Sequence, residues 1–80
     1  MPYTETTTTD RLATLHFDHE KWDVWVDVHR DANSRTGVEM NMLARQEGCY
    51  IVSTDDCDPE HLPGGIVRYQ MAYLEDAECP

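Results

Sequence analysis

The chain has 80 residues, and 16 Asp and Glu against 6 Lys and Arg give a formal net charge of −10. Residues 1–80 therefore form a single acidic domain, whose thin core leaves little room for a deep substrate cleft. This charge repels nucleic acid, so we expect no direct DNA or RNA binding and instead a basic protein partner. No apolar run approaches the length of a membrane span, so we expect no membrane association.

The cysteines and the N-terminal residues bear on the cellular compartment. Cys49, Cys57 and Cys79 are an odd number, and residues 1–10 have neither the basic region nor the apolar core of a secretory signal. This combination predicts free thiols in a reducing compartment. We expect a cytoplasmic monomer.

The first elements in chain order are strands. Residues 1–9 are polar and threonine-rich, which predicts either a frayed end or an edge strand. Residues 12–18 alternate weakly between apolar and polar, and residues 18–21 form a polar break of hairpin length. Residues 22–29 alternate most clearly, which predicts a strand with one buried and one polar face.

The middle of the chain predicts a turn and two more strands. Residues 31–37 have turn chemistry, because Asn, Ser and Gly favour local hydrogen bonds and positive φ. Residues 38–44 alternate again, which predicts a third strand lying antiparallel beside residues 22–28, and residues 50–54 predict a fourth. The predicted core side chains of the adjacent pair are Val24, Val26, Met40 and Met42.

The last third of the chain begins with an acidic loop, residues 55–65. Asp58, Pro59 and Glu60 predict the first turn of a very short helix, stopped by residues 63–65. Residues 66–74 fit a strand or a helical face, and the double glycine before them favours the strand. The elements together predict a mainly β or α+β fold, with a small antiparallel meandering sheet of four to five strands, curled or covered by one short helix.

No residue pattern indicates catalysis or metal binding. The acidic loop contains five side chains that could bind a metal, but they lack the spacing and the central glycine of a calcium-binding loop. These residues are Asp55, Asp56, Asp58, Glu60 and His61. No CxxC pair suits zinc, and no serine or cysteine has a marked general base. We therefore expect no enzyme activity, no metal and no cofactor.

The acidic surface is the feature that remains. On a strand, Asp23 and Asp27 flank Trp25 on the polar face, with carboxylates about 13 Å apart, and Glu39 is expected to share this face from the neighbouring strand. Carboxylates so spaced predict a surface that imitates a nucleic-acid backbone. The predicted partner-binding residues are Asp23, Trp25, Asp27, Glu39, Asp55, Asp56, Asp58 and Glu60. The alternative is that these acids only face solvent and Trp25 belongs to a second small core.

Over its whole length the chain resembles phage-encoded anti-CRISPR proteins in size, acidity and motif-free β-rich layout. The acids around residues 22–29 and 55–60 carry this resemblance, and the family has no common binding signature to transfer. The resemblance implies a non-enzymatic inhibitor that blocks target DNA binding by a CRISPR-Cas surveillance complex in the host bacterial cytoplasm. Two alternatives are an acidic domain of a salt-adapted cytoplasm, which the single lysine (Lys21) fits, and an antitoxin-like or metal-binding partner protein.

Overall fold

The computed structural model describes residues 3–52 and 55–73, which form an antiparallel sheet with one helix on one face. The elements are β1 (Tyr3–Thr7), β2 (Ala13–Asp18), β3 (Asp23–His29), α1 (Ser34–Gln46), β4 (Cys49–Ile51), β5 (Glu60–Leu62) and β6 (Ile66–Tyr73). The predicted fold class, a small and mainly β antiparallel sheet with one helix, is confirmed. No helix in the described ranges has the length and apolar character needed to cross a membrane.

The strand order is β1-β2-β3-β6-β4, and β5 also pairs with β6. The first three strands form a meander, and β6 then joins β3 antiparallel. β4 and β5 pair with opposite ends of β6. The central strands are therefore β3 and β6, and β1 is an edge strand, which decides between the two alternatives for the N-terminal residues.

The core lies between the sheet and α1. Alternate side chains of β2 and β3 are buried there, and Val26 is 0% exposed. Burial of these apolar surfaces is the main favourable contribution to folding. The buried cluster consists of Ala13, Leu15, Phe17, Val24, Val26, Met40, Ala44, Cys49 and Met71. Three of the four predicted core residues, Val24, Val26 and Met40, are in it.

The strand predicted over residues 38–44 is wrong, because these residues belong to α1. The helix begins at a capping box: Asn33 Oδ1 accepts from the Thr36 amide at 3.1 Å, and Thr36 Oγ1 accepts from the Asn33 amide at 3.2 Å. Helical spacing buries Met40 and Ala44 but turns Met42 outward, where it is 56% exposed. Met42 is thus outside the core, and β3 lies between β2 and β6 instead of beside residues 38–44.

The β1–β2 turn is bound to the start of α1. Asp10 accepts hydrogen bonds from the hydroxyls of Thr36 at 2.6 Å and Thr8 at 2.7 Å. The Thr9 amide and hydroxyl both donate to Glu39 Oε2, at 2.9 and 2.8 Å. The hydrogen bonds from Thr36 and Thr8 lower the pKa of Asp10. These contacts fix the helix across the sheet.

The very short helix predicted at residues 58–60 is also wrong, because Glu60–Leu62 forms β5. The reason is pairing: residues 63–65 make a tight turn that returns the chain into β6, with Leu62 opposite Ile66. Gly64 and Gly65 take φ values of 83° and 78°, which glycine adopts without strain. The strand favoured over residues 66–74 is confirmed for Ile66–Tyr73, while residues 53, 54 and 74 lie outside the described part.

Candidate binding face of the sheet

The face of the sheet opposite α1, here called the open face, carries side chains in rows that cross several strands. Strand register places residues of β1, β2, β3 and β6 side by side. One row is Glu5, His16, Trp25 and Gln70. The next is Thr7, Thr14, Asp27, Arg68 and, from β5, Glu60. No helix packs on these rows in the described part of the chain.

Negative charge in the sheet is confined to the open face. All five carboxylates on the strands lie there: Glu5, Asp18, Asp23, Asp27 and Glu60. Arg68 is the only Arg or Lys on the six strands and lies on the same face. Five carboxylates and one guanidinium leave a net charge of −4 on one side of a thin sheet.

Asp27 is at the centre of this face and is neutralised. Arg68 donates to it twice, from Nε to Oδ1 at 2.7 Å and from Nη2 to Oδ2 at 3.0 Å, and His16 Nε2 lies 3.1 Å from Oδ2. Desolvation raises the pKa of Asp27, but the hydrogen bonds and charge of Arg68, with a contribution from His16, outweigh it and lower the pKa below the ordinary value. Only 19% of the Asp27 side chain is exposed. Asp27 is therefore an ion-paired structural carboxylate.

Trp25 lies among aromatic and cationic neighbours. The His16 ring stacks on it at 5.3 Å between centroids and 9° between planes, and the Arg68 guanidinium carbon lies 5.5 Å from the Trp25 ring centroid. The Tyr3 ring lies 6.3 Å away, and its hydroxyl contacts His16 Nδ1 and donates to Glu5 at 3.1 Å. The Trp25 indole N–H is buried and has no hydrogen-bond partner among the described residues. This cluster forms the half-buried centre of the open face.

The predicted site residues divide into three groups. Asp23, Trp25, Asp27 and Glu60 do share the open face, and Asp23 accepts from the Gln70 amide at 2.9 Å. Glu39 does not share it, because it lies on α1 and accepts from Thr9. The loop acids Asp55, Asp56 and Asp58 are exposed and lead into Glu60 at the rim of the face.

Sequence reasoning missed three residues of this face: Glu5, His16 and Arg68. Arg68 and Asp27 are 41 residues apart in sequence, so their contact depends on a strand register that no local pattern reveals. The one usable signal was Arg68 itself, because a lone arginine inside an apolar strand usually has a carboxylate partner.

The side chains of the open face include a histidine that a catalytic site could use. His16 resembles a general base beside Asp27, but Tyr3 and Asp27 engage its two ring nitrogens and leave neither available to a substrate. No group of three metal-ligating side chains occurs within residues 3–52 and 55–73. The open face thus carries an aromatic cluster at its centre and carboxylates on both sides of it, Glu5 on β1 and Glu60 on β5. Comparisons of the chain with protein-family models, curated proteins and solved structures find no match.

Proposed function

We propose that this chain is a non-enzymatic inhibitor that binds a basic, nucleic-acid-handling protein surface and competes with the nucleic acid for it. The target class indicated by the resemblance is a CRISPR surveillance complex. One observation carries the proposal: every strand carboxylate is on the open face, and four of the five have no Lys or Arg ion pair within the described residues. A partner rich in Arg and Lys complements such a face.

The pairing of Asp18 with Asp23 supports a cationic partner. These residues lie directly opposite each other on β2 and β3, and like charges in that position destabilise a sheet. Among the described residues, their hydrogen-bond donors are neutral: the backbone amides of Glu20 and Lys21 for Asp18, and the side-chain amide of Gln70 for Asp23. Neither carboxylate has an ion pair with a described residue, so a partner cation placed between them would relieve the repulsion.

The acidic loop extends the negative surface beyond the sheet. Asp55, Asp56 and Asp58 are exposed and precede Glu60, whose charge acts on Arg68 at the centre of the face. Exposed charges of one sign mainly speed association and orient the partner. Their effect is screened beyond about 8 Å at physiological ionic strength, so binding should weaken as salt rises.

A competition assay tests the proposal. Labelled target DNA and a purified CRISPR surveillance complex are mixed with increasing amounts of the protein. We expect bound DNA to fall as the protein is added, and more protein to be needed at higher salt. Binding of the protein to the complex while DNA binds normally would contradict competition.

Two matched charge-reversal pairs locate the surface. Glu5→Lys with Glu60→Lys changes the rim of the open face, while Asp31→Lys with Glu47→Lys changes exposed acids elsewhere. Each pair raises the net charge by four, from −10 to −6. We expect the rim pair to need about tenfold more protein for half-inhibition, which corresponds to about 1.4 kcal/mol, and the control pair to stay close to wild type. Equal effects would mean that overall charge, and not this face, is responsible.

The salt-adaptation alternative has its own signature. Lys21 is the only lysine, and nine of the thirteen described carboxylates are exposed, as expected of a surface that stays hydrated at high salt. A protein that folds only in molar salt and does not compete with DNA would favour this alternative over inhibition.

A further inference from the structure

A cavity of about 310 Å³ lies on the open face and reaches from Glu5 on β1 to Ile66 on β6. Thr14 lines it together with His16 and Leu12, the larger side chains two positions to either side. Because alternate residues of a strand share a face, the small threonine leaves a depression between these two neighbours. Sites for small molecules have volumes from roughly 300 Å³ upwards, so this cavity has room for one small ligand.

Arg11 brings a guanidinium without a partner to one end of the cavity. It lies in the β1–β2 turn, is exposed, and has no ion pair or side-chain hydrogen bond with a described residue. Its backbone φ is 62°, in a region that glycine or asparagine adopts more readily. Residues held in such a conformation are concentrated at functional sites. The turn therefore does not explain why an arginine stands at this position.

Two further hydrogen-bonding groups line the cavity near Arg11. The backbone amide of His29 donates to the Leu12 carbonyl at 2.7 Å, which holds His29 beside the β1–β2 turn. His29 Nδ1 accepts from the Asp31 amide at 3.1 Å, so the neutral ring carries its proton on Nε2 and can donate from there. The Thr14 hydroxyl is another possible donor. A guanidinium, an imidazole N–H and a hydroxyl together suit a carboxylate.

Glu5 brings the opposite charge to the other end of the cavity. Register pairs Glu5 with His16, which is four residues from Leu12, or about 13 Å along the strand. Asp27 also lines the cavity, but Arg68 neutralises its charge. Glu5 has no ion pair with a described Lys or Arg. The cavity therefore has an uncompensated cation at one end and an uncompensated anion at the other.

We propose that this cavity binds a small dipolar ligand of the ω-amino acid class, whose carboxylate is held by Arg11 and His29 while its ammonium group faces Glu5. The separation of the two ends requires an aliphatic chain between the charges of the ligand. The net charge of −10 opposes the approach of a simple anion but not of a ligand without net charge. A simple amine would leave Arg11 without a partner. This site is independent of the competition with nucleic acid.

Four probes test the class of ligand. 6-Aminohexanoate carries both charges on a chain, hexanoate only the carboxylate, hexylamine only the ammonium, and glycine both charges on one carbon. In NMR titrations at physiological salt, we expect 6-aminohexanoate to shift the amide signals of Thr14 and His29 and to bind about tenfold more tightly than the other three. Absence of binding by 6-aminohexanoate, or equally tight binding of any other probe, would overturn the proposal.

Variants at the two ends test which residues hold the ligand. Arg11→Gly removes the guanidinium and relieves the backbone, so its Tm should not fall below that of wild type, while its affinity for 6-aminohexanoate should fall about tenfold. Arg11→Asn, which also tolerates a positive φ, should repeat the loss. Glu5→Gln should weaken 6-aminohexanoate but not hexanoate. Arg45→Gln removes an exposed arginine from α1 as a control and should bind like wild type. Unchanged affinity at either end of the cavity, or an equal loss in Arg45→Gln, would overturn the proposal.

Discussion

The two faces of β3 are stabilised in different ways. On the side of α1, Val24 and Val26 are completely buried, and burial of apolar surface holds them. On the open face, Trp25 and Asp27 are half-buried and held by stacking and by the ion pair with Arg68. The comparison teaches that one strand can contribute to the apolar core from one side and to a charged surface from the other. Changes on the two sides should therefore have separable effects.

The largest effect is expected on the buried side. Val26→Asp places an unpaired charge in the core, which costs several kcal/mol against a total stability of about 5 to 10 kcal/mol, so the domain should unfold. Val38→Asp is the control, because Val38 is 62% exposed on α1 and its replacement should change stability by less than about 0.5 kcal/mol. Circular dichroism with thermal melting measures both. A cooperatively folded Val26→Asp variant would refute the burial assigned to this side.

A smaller effect is expected at the centre of the open face. The Asp27–Arg68 pair is partly exposed, so a double-mutant cycle with Asp27→Asn and Arg68→Met should give a coupling energy of about 1 to 3 kcal/mol. Urea unfolding of the four proteins measures it. Arg30→Met removes an exposed arginine as a control and should leave stability nearly unchanged. A coupling near zero would mean that the ion pair does not stabilise the face.

The stability of the domain should depend on pH through Asp27, and the direction of this dependence follows from the lowered pKa of Asp27. The folded state lowers the pKa of Asp27 below its ordinary value of 3.8, so the ionised form favours folding. The stability from this group is present above about pH 4 and is lost as the pH falls through the lowered pKa. Urea midpoints between neutral and acid pH should therefore fall less steeply for Asp27→Asn than for wild type. Urea midpoints that fall equally steeply with pH in the two proteins would contradict the stabilising role assigned to ionised Asp27.

The last prediction concerns the reactivity of the two described thiols, which should not change the stability of the fold. Cys57 is exposed, while Cys49 is buried and desolvation raises its pKa to about 11. A thiol reagent should therefore modify Cys57 quickly and Cys49 only when the protein opens, because the thiolate is the reactive form. Mass spectrometry over time, with Cys57→Ser to assign the fast site, measures this. Rapid modification of Cys49 in the folded protein would contradict its burial. Cys79 lies outside the described residues.

Local patterns predicted the parts of the fold that local physics controls. The alternation over residues 22–29 predicted β3 and its two faces, since a strand repeats every two residues. Val38, Met40, Met42 and Ala44 also alternate, but on a helix Thr36, Met40 and Ala44 share a buried face while Val38 and Met42 lie on an exposed one. The deciding signal was the capping box of Asn33 and Thr36, inside a segment whose composition equally suits a turn.

The centre of the open face could not be predicted for a different reason. The Asp27–Arg68 pair and the stack of His16 on Trp25 depend on which strands are neighbours and in what register. Strand neighbours and register are set by contacts between residues far apart in the chain, so local patterns in a single sequence do not predict them. The outward direction of Asp27 was therefore predictable, whereas its neutralisation was not.

Carboxylate footprinting tests the central claim most directly, because the acids of the protein report on their own surroundings. A water-soluble carbodiimide and a labelled amine modify exposed Asp and Glu side chains. Peptide mass spectrometry then compares the labelling of each carboxylate in the free protein and in the protein bound to the CRISPR effector. If the open face is the binding surface, labelling of Glu5, Glu60 and the adjoining loop acids should fall on binding, while Asp31 and Glu47 should be labelled as before. Protection of Asp31 and Glu47 with unchanged labelling of Glu5 and Glu60 would contradict it.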